Sequence, residues 1–285
     1  MNCKNVATLS WHLYLSSRPL SPNRHYSPAT LIEQVLGVIP ARLNSSRLPR
    51  KALLPLAGKP LIYWVWTNAV RMDVFDKLLI GTDSEEIAEI CGRFGACVEL
   101  TGSEHSCGTE RVAEVASKKD YKKYELVINI QGDLPLLGES CLEYMLMELR
   151  DKSFDIVTCG TKFKNESEWR DPSKVKMNLD SSGSVLGFSR KGAFGNHQEA
   201  PGWNNEAHYR HIGAYGCVRE VLIDWAGAPR GAKEEEEGLE QLRAMKLGLT
   251  IGAVIVPSDA GAVDTFEDVS RIEEKLAKLK IPYEK

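Results

Sequence analysis

From Leu36 onward, short continuous apolar blocks alternate with longer stretches whose apolar residues recur at helical spacing. Leu36 to Pro40 (LGVIP) is the first block, and its closing proline predicts a buried strand that ends there. Pro60 to Met72 has helical spacing with proline in the first turn, where no backbone N–H is needed. Lys77 to Thr82 (KLLIGT) predicts the next strand, and Ser84 predicts the cap of a helix through Phe94 with acids in its first turn. The alternation continues with a strand at Ala96 to Leu100, a helix at Thr109 to Lys119 and a strongly apolar strand at Leu126 to Ile130 (LVINI). A helix at Gly138 to Asp151 and a strand at Asp155 to Cys159 follow. This order predicts an α/β fold with a mainly parallel sheet and helices on both faces.

The middle of the chain reads differently. Lys174 to Leu179 and Ser184 to Ser189 flank Asp180-Ser181-Ser182-Gly183, a hairpin signal. Lys191 to Asn205 is rich in Gly, Asn and Pro without periodicity and predicts a long loop. His211 to Val218 predicts a strand, Glu234 to Glu237 a solvated acidic run, Leu239 to Leu247 a helix and Thr250 to Val256 a strand. Thr265 and Asp268 are spaced as a capping-box variant at the start of a helix reaching Lys278. The pairs Trp64/Trp66 and Met145/Met147 read as packing residues. Residues 1–34 stand apart: Met1 to Ile32 contains no Asp or Glu, several serines and the cations Lys4, Arg18 and Arg24. They are expected to be a disordered extension, with an organelle transit peptide as the rival. The folded domain is expected over 35–285, with a small β-rich insertion at about 172–218.

Composition narrows the classes. The 285 residues are 43% hydrophobic and 26% charged, the balance of a globular protein. No apolar run approaches the ~20 residues of a spanning helix, so membrane insertion is not expected. A net charge of −3 gives no global basic field to favour nucleic acid. Seven scattered cysteines without a CxxC pair predict free thiols in a reducing, cytoplasmic setting.

The loop after the first strand carries Arg42, Arg47, Arg50 and Lys51 among small polar residues. In parallel sheets ligands bind beyond the carboxyl ends of strands, where such a loop can cradle phosphates. It is not a P-loop, because Gly58-Lys59 is followed by Pro60, and no GxGxxG marks a dinucleotide site. Asn129-Ile130-Gln131-Gly132-Asp133-Leu134-Pro135 ends a strand in a carboxylate suited to magnesium shared with substrate phosphates, with Gly132 allowing close backbone approach. Asp264 precedes a capped helix and offers a second, distant carboxylate that could converge on the same metal. Arg111 lies early in a helix whose N-terminus can face an anion. Arg190, His211 and Gln241 have the chemistry to hold a polyhydroxy acid. Taken alone, each of these has an ordinary structural explanation, such as a turn aspartate or an edge histidine.

Taken together and in order, they resemble the sugar-acid cytidylyltransferases, most closely those acting on 3-deoxy-manno-octulosonate (Kdo). The resemblance rests on Ile39-Pro-Ala-Arg42 through Lys51, Gly58-Lys-Pro60, Ser106-x-Gly-Thr-Glu-Arg111 and Asn129-Ile-Gln-Gly-Asp133. It continues through Ser189-Arg190, His211-x-Gly-x-Tyr215, Glu240-Gln-Leu-Arg243 and Val263-Asp-Thr265. It covers about residues 36 to 280. It implies a Rossmann-like nucleotidyltransferase fold and transfer of CMP from CTP to a 3-deoxy-ulosonic acid, with Mg2+ as cofactor and lipopolysaccharide biosynthesis as setting. Ala41, Arg42, Arg47 and Lys51 would bind the triphosphate, and Gln131 and Arg111 the nucleotide. Asp133 and Asp264 would hold the metal, with Lys51 stabilising charge on the departing phosphates. Arg190, His211, Tyr215, Glu240 and Gln241 would line the sugar site. The resemblance also implies a homodimer joined through the β-rich insertion.

Three departures accompany it. Leu134 replaces the family's usual glutamate, Lys191-Gly192-Ala193-Phe194 replaces an Ile-Pro continuation, and Asp259-Ala260-Gly261-Ala262 replaces a Gly-Thr-Gly. Two lie near the expected sugar site, so cytidylyl transfer is firmer than the sugar. The rivals are an enzyme for 8-amino-Kdo or a sialic-acid-like acid, one using a sugar phosphate, a CTP-binding protein that has lost catalysis, and a dehydrogenase.

Overall fold

The computed structural model describes residues 33–43, 45, 48–192, 194, 203, 206, 208–257 and 261–278. The expectations for the first 32 residues, for Arg47, for most of the loop from Lys191 to Asn205 and for Asp259-Ala260 lie outside the described residues.

Among the described residues nine strands form one sheet, and β2 (Pro55–Leu56) and β3 (Lys59–Pro60) form a separate two-stranded hairpin. The main path runs β11 (Ile251–Ile255), β7 (Ile156–Lys162), β10 (His208–Val218), β6 (Leu126–Ile130), β1 (Val35–Ala41), β4 (Lys77–Thr82) and β5 (Val98–Leu100). Pairings β1–β4, β1–β6, β4–β5 and β11–β7 are parallel, whereas β10 runs antiparallel to both β6 and β7. The expected α/β architecture with a mainly parallel sheet is therefore present. The hairpin of β8 (Lys176–Leu179) and β9 (Val185–Ser189) pairs onto the amino half of β10.

Side-chain alternation along the strands sorts the helices to two faces. Val35, Ile39, Leu126, Ile128 and Ile130 pack with α1 (Leu61–Arg71), α2 (Glu85–Arg93) and α4 (Glu139–Arg150). Leu36, Val38 and Val127 point the other way, into α3 (Gly108–Ser117), α6 (Arg219–Gly227) and α8 (Gln241–Lys246). A third cluster seats α9 (Phe266–Lys278) through Ile272 and Leu276 against Leu48, Leu61 and Val263. The expected caps form: Ser84 accepts from the Ile87 N–H at 3.3 Å, and the Thr265 N–H donates to Asp268 Oδ2 at 3.0 Å.

Several expectations are corrected. The acidic run is not a solvated face. Ala232–Glu237 forms a short helix, α7, whose Glu234 is buried against Arg243, and Gly238 ends it in the left-handed region at φ 61°. That stop confines the next helix to Gln241–Lys246. Strand β10 begins at His208 rather than His211 because β8 offers it further pairing. Strand β10 ends at Val218 as read, but the helix α6 that follows it and the helix α5 (Glu166–Arg170), little more than one turn, were not expected. The free-thiol expectation fails at Cys141 and Cys159, which form a disulfide between α4 and β7 with Cα atoms 6.3 Å apart. Cys91, Cys97, Cys107 and Cys217 are free. Met147 is exposed rather than packed, unlike Met145 and Trp64, which are buried.

Candidate functional site

The antiparallel strand explains where the site lies. Ala214 pairs with Ile130, the last residue of β6, so Ile212 and His211 overhang the point where β6 turns into Gln131-Gly132-Asp133. A register shift between Ile212 and Tyr215 re-aims the strand there. A cavity of about 430 Å³ opens at this edge. Ala41, Arg42, Lys51, Arg111, Gln131, Asp133, Arg190, His211, Tyr215, Glu240, Gln241 and Asp264, every expected site residue except Arg47, line it.

One side of the cavity centres on Lys51, whose Nζ lies 2.6 Å from Asp133 Oδ2 and 3.2 Å from Asp264 Oδ1. The two carboxylates converge because the Val263 N–H donates to the Asp133 carbonyl at 3.0 Å, tying the approach to α9 onto the β6 turn. Burial works against the Lys51 ammonium, but Asp133 and Asp264 outweigh it and raise its pKa. Lys51 is therefore a fixed cation. Arg50 before it is left-handed at φ 56° and leads directly into the turn that aims it. Leu134 also lines the cavity, but its side chain is largely buried, in the core cluster that holds Ile62 and Leu137.

Gly132 is needed for the turn. A Cβ there would lie 2.8 Å from the Pro40 carbonyl oxygen, a backbone atom with no room to yield. Gly132→Ala is expected to cost about 1–3 kcal/mol of stability through overpacking and to displace Asp133. Urea denaturation together with turnover measures both; an unchanged midpoint would contradict this close approach.

Arg111 is buried, donating to Asp83 Oδ2 at 3.1 Å, to the Gly102 carbonyl at 3.1 Å and to the Thr101 hydroxyl. Helix α3 starts beside it, at the cavity-lining residues Cys107 and Gly108. Buried Thr109 donates to Glu240 Oε1 at 2.6 Å and is itself held by Asn129 Nδ2 at 3.2 Å. Burial raises the Glu240 carboxyl above its ordinary range, although hydrogen bonds from Cys107 and Thr109 act in the opposite direction.

Beyond Gln131 the lining changes to aromatic and amide groups. The Tyr215 hydroxyl donates to Gln241 Oε1 at 3.1 Å, and buried Gln241 Nε2 has no partner among the described residues. Thr158 spends its hydroxyl proton on the Ala214 carbonyl at 2.7 Å, so His211 Nε2, 2.9 Å from Thr158 Oγ1, is the donor and Nδ1 remains an acceptor. Burial, aided by the Arg190 charge, pushes the His211 pKa down to about 3. The unfolded chain, with an ordinary histidine value of 6.5, then binds the extra proton between these values, so stability falls as pH drops from 6.5 toward 3. His211→Gln is expected to flatten that acid limb in a plot of Tm against pH; an unchanged limb would contradict the assignment.

Arg190 is fixed from α7: its backbone N–H donates to Glu237 Oε2 at 2.8 Å and its Nε to the Glu237 carbonyl at 2.7 Å. Sequence reasoning missed Lys174, Arg210, Arg230 and Arg271, which also line the cavity. Arg210 could have been flagged as a charge within a strand block beside His211. Lys174 could have been flagged as a cation at the mouth of the predicted hairpin.

The cytidylyltransferase family model matches residues 36–251. The chain is 35% identical over 243 residues to the 8-amino-3,8-dideoxy-manno-octulosonate cytidylyltransferase of Shewanella halifaxensis, covering 84% of this chain and 97% of the relative. It is 36% identical over 244 residues to the enzyme of the same name from Shewanella baltica, with the same coverage. Among solved structures it is similar to a CMP:2-keto-3-deoxy-manno-octonic acid synthetase in complex with CTP. That likeness has a TM-score of 0.76 and 30% identity over 87% of this chain and 100% of the other.

Proposed function

This chain belongs to the cytidylyltransferase family and is a nucleotidyltransferase, and we propose that it transfers CMP from CTP to the anomeric hydroxyl of a Kdo-type 3-deoxy-ulosonic acid, releasing pyrophosphate. The observation that carries this reading is one cavity that joins two different chemistries. A cation between two carboxylates lies on one side, and histidine, tyrosine, amide and arginine side chains lie on the other.

In the reaction the anomeric oxygen forms a bond to the α-phosphorus in line, the bond to the β-phosphate oxygen breaks, and the hydroxyl proton is released. Little covalent chemistry falls to the protein, so positioning and charge stabilisation carry the rate. Arg42 and Lys51 neutralise the triphosphate, Lys51 acting on the departing oxygens. Arg190 pairs with the acid's carboxylate, and neutral His211, Gln241 Nε2 and Glu240 hold its hydroxyls. Gln131, within 3.5 Å of Glu240, sits between the two halves.

Asp133 and Asp264 fit magnesium. Both already bond one cation, Lys51, so they are close enough to share charge. Two carboxylates completed by substrate phosphates are a common magnesium arrangement. No cluster of three or more His, Cys, Asp or Glu that could hold a metal ion occurs among the described residues. Magnesium held by these two residues would neutralise charge on the phosphates. The reading includes the homodimer and the lipopolysaccharide setting that the resemblance implies. No helix among the described residues is long and apolar enough to cross a membrane.

The acid is either Kdo or its 8-amino-3,8-dideoxy form, the latter being the substrate for which the Shewanella relatives are named. Pyrophosphate release with CTP and magnesium is the test, against Kdo, 8-amino-Kdo and N-acetylneuraminate. Release is expected with one of the first two and not the third, and is expected to vanish in Asp133→Ala. Release only with N-acetylneuraminate would replace the Kdo-type acid, and silence across the panel with CTP bound would contradict the reaction.

A further inference from the structure

Lys176, on β8, is 1% exposed, and among the described residues its ammonium hydrogen-bonds no carboxylate. Its Nζ donates to the carbonyls of Asp171 at 2.6 Å, Lys174 at 2.9 Å and Arg190 at 2.6 Å. An ammonium has three donors, so all three are spent on backbone. The carbonyls belong to the turn after α5, the approach to β8 and the residue that follows β9. Two of these residues, Lys174 and Arg190, line the cavity. A methionine would fill the same volume without the cost of burying a charge, so the packing alone does not call for lysine.

We propose that Lys176 is a positioning residue for the acid half of the site, its ammonium tying the backbones of Lys174 and Arg190 together so that both cations meet the acid's carboxylate. The proposal rests on the reading that the sugar acid binds beside Arg190. The arrangement is specific to that half: Lys51, Asp133 and Asp264 are not among its partners. The charged groups acting on Lys176 are Asp171 from the α5 turn, Arg190 after β9 and Glu237 from α7. Burial, with Arg190 adding to it and Asp171 and Glu237 opposing, lowers the Lys176 pKa to about 8. Loss of the proton leaves two donors for three carbonyls, so the clamp loosens as pH rises through 8.

The test compares wild type, Lys176→Met and Lys176→Arg from about pH 7 to 9.5, with KM measured separately for the acid and for CTP. It adds amide hydrogen exchange over Arg190–Gly192. In Lys176→Met the KM for the acid is expected to rise roughly 10- to 100-fold, the scale of a misplaced binding group, with the KM for CTP unchanged within about twofold. Lys176→Arg is expected to recover part of the loss. The wild-type acid KM is expected to climb above pH 8 while that of Lys176→Met stays flat. Amides at 190–192 are expected to lose protection in Lys176→Met. An equal rise in both KM values, or unchanged protection at 190–192, would overturn the positioning role. If Lys176→Met does not fold, a wild-type acid KM that is flat across pH 8 overturns it. If no acid supports turnover in wild type, the functional reading fails. The exchange measurement then still decides whether Lys176 holds Arg190.

Discussion

Lys51→Ala is expected to lower kcat by roughly 10²–10³, the scale for losing one preorganised donor to developing charge. Lys51 is only partly accessible and is held by Asp133 and Asp264, which fixes its ammonium on one side of the cavity. Its raised pKa keeps it charged throughout the neutral range. Removing it takes one positive charge from the phosphate side of the cavity, which also weakens triphosphate binding. The KM for CTP is expected to rise, but by less than kcat falls, because the charge on the departing oxygens is greatest in the transition state. Steady-state kinetics at saturating acid measures the split. Turnover like that of wild type would remove Lys51 from the mechanism.

The second large effect is on stability. Arg243 is almost fully buried, with Nη2 2.5 Å from Glu234 Oε1 and 2.8 Å from Glu110 Oε1, and Nη1 3.0 Å from the Ala226 carbonyl. Burial opposes its charge, but the hydrogen bonds it donates to both glutamates outweigh that and raise its pKa. It joins α8 to α3, α6 and α7, and so fixes Glu240 and Gln241 at the start of α8. Arg243→Met is expected to cost about 3–5 kcal/mol, because it leaves the buried Glu234 carboxylate with only the longer pairing to Arg230, at 3.5 Å. Arg243→Met with Glu234→Gln is expected to recover a substantial part, since only the more exposed Glu110 carboxylate then lacks its cation. Urea denaturation of both variants measures this. Equal losses in the single and double variants would show that the guanidinium's packing, and not its charge pairing, carries the effect.

The strands that the sequence shows best are those buried on both faces. Lys77–Thr82 and Leu126–Ile130 form as read, because an apolar block between turn signals leaves few alternatives. The acidic run at 234–237 was misread because four like charges look solvated locally. Only tertiary contact with Arg243 makes Glu234 a core residue. The α6 segment was missed because its β-branched residues continue the apolar block of β10. In the site, motif order brought together residues that spacing alone cannot. Asp133 and Asp264 meet through a backbone bond between Val263 and Asp133, a contact with no signature in either segment. Lys174 and Lys176 lie two residues apart at the start of the predicted hairpin, but nothing local distinguishes the lysine that lines the cavity from the one buried behind it.

The central claim is that CMP passes intact to a sugar acid, and the phosphorus spectrum of the product tests it most directly. After incubation with CTP, magnesium and the productive acid, a single phosphodiester resonance and the mass of a CMP-linked 3-deoxy-ulosonic acid are expected beside pyrophosphate, with neither product formed by Asp133→Ala. A coupled pair of diphosphate resonances, formed when a sugar phosphate replaces the acid, would contradict the account and assign the acceptor to a phosphorylated sugar.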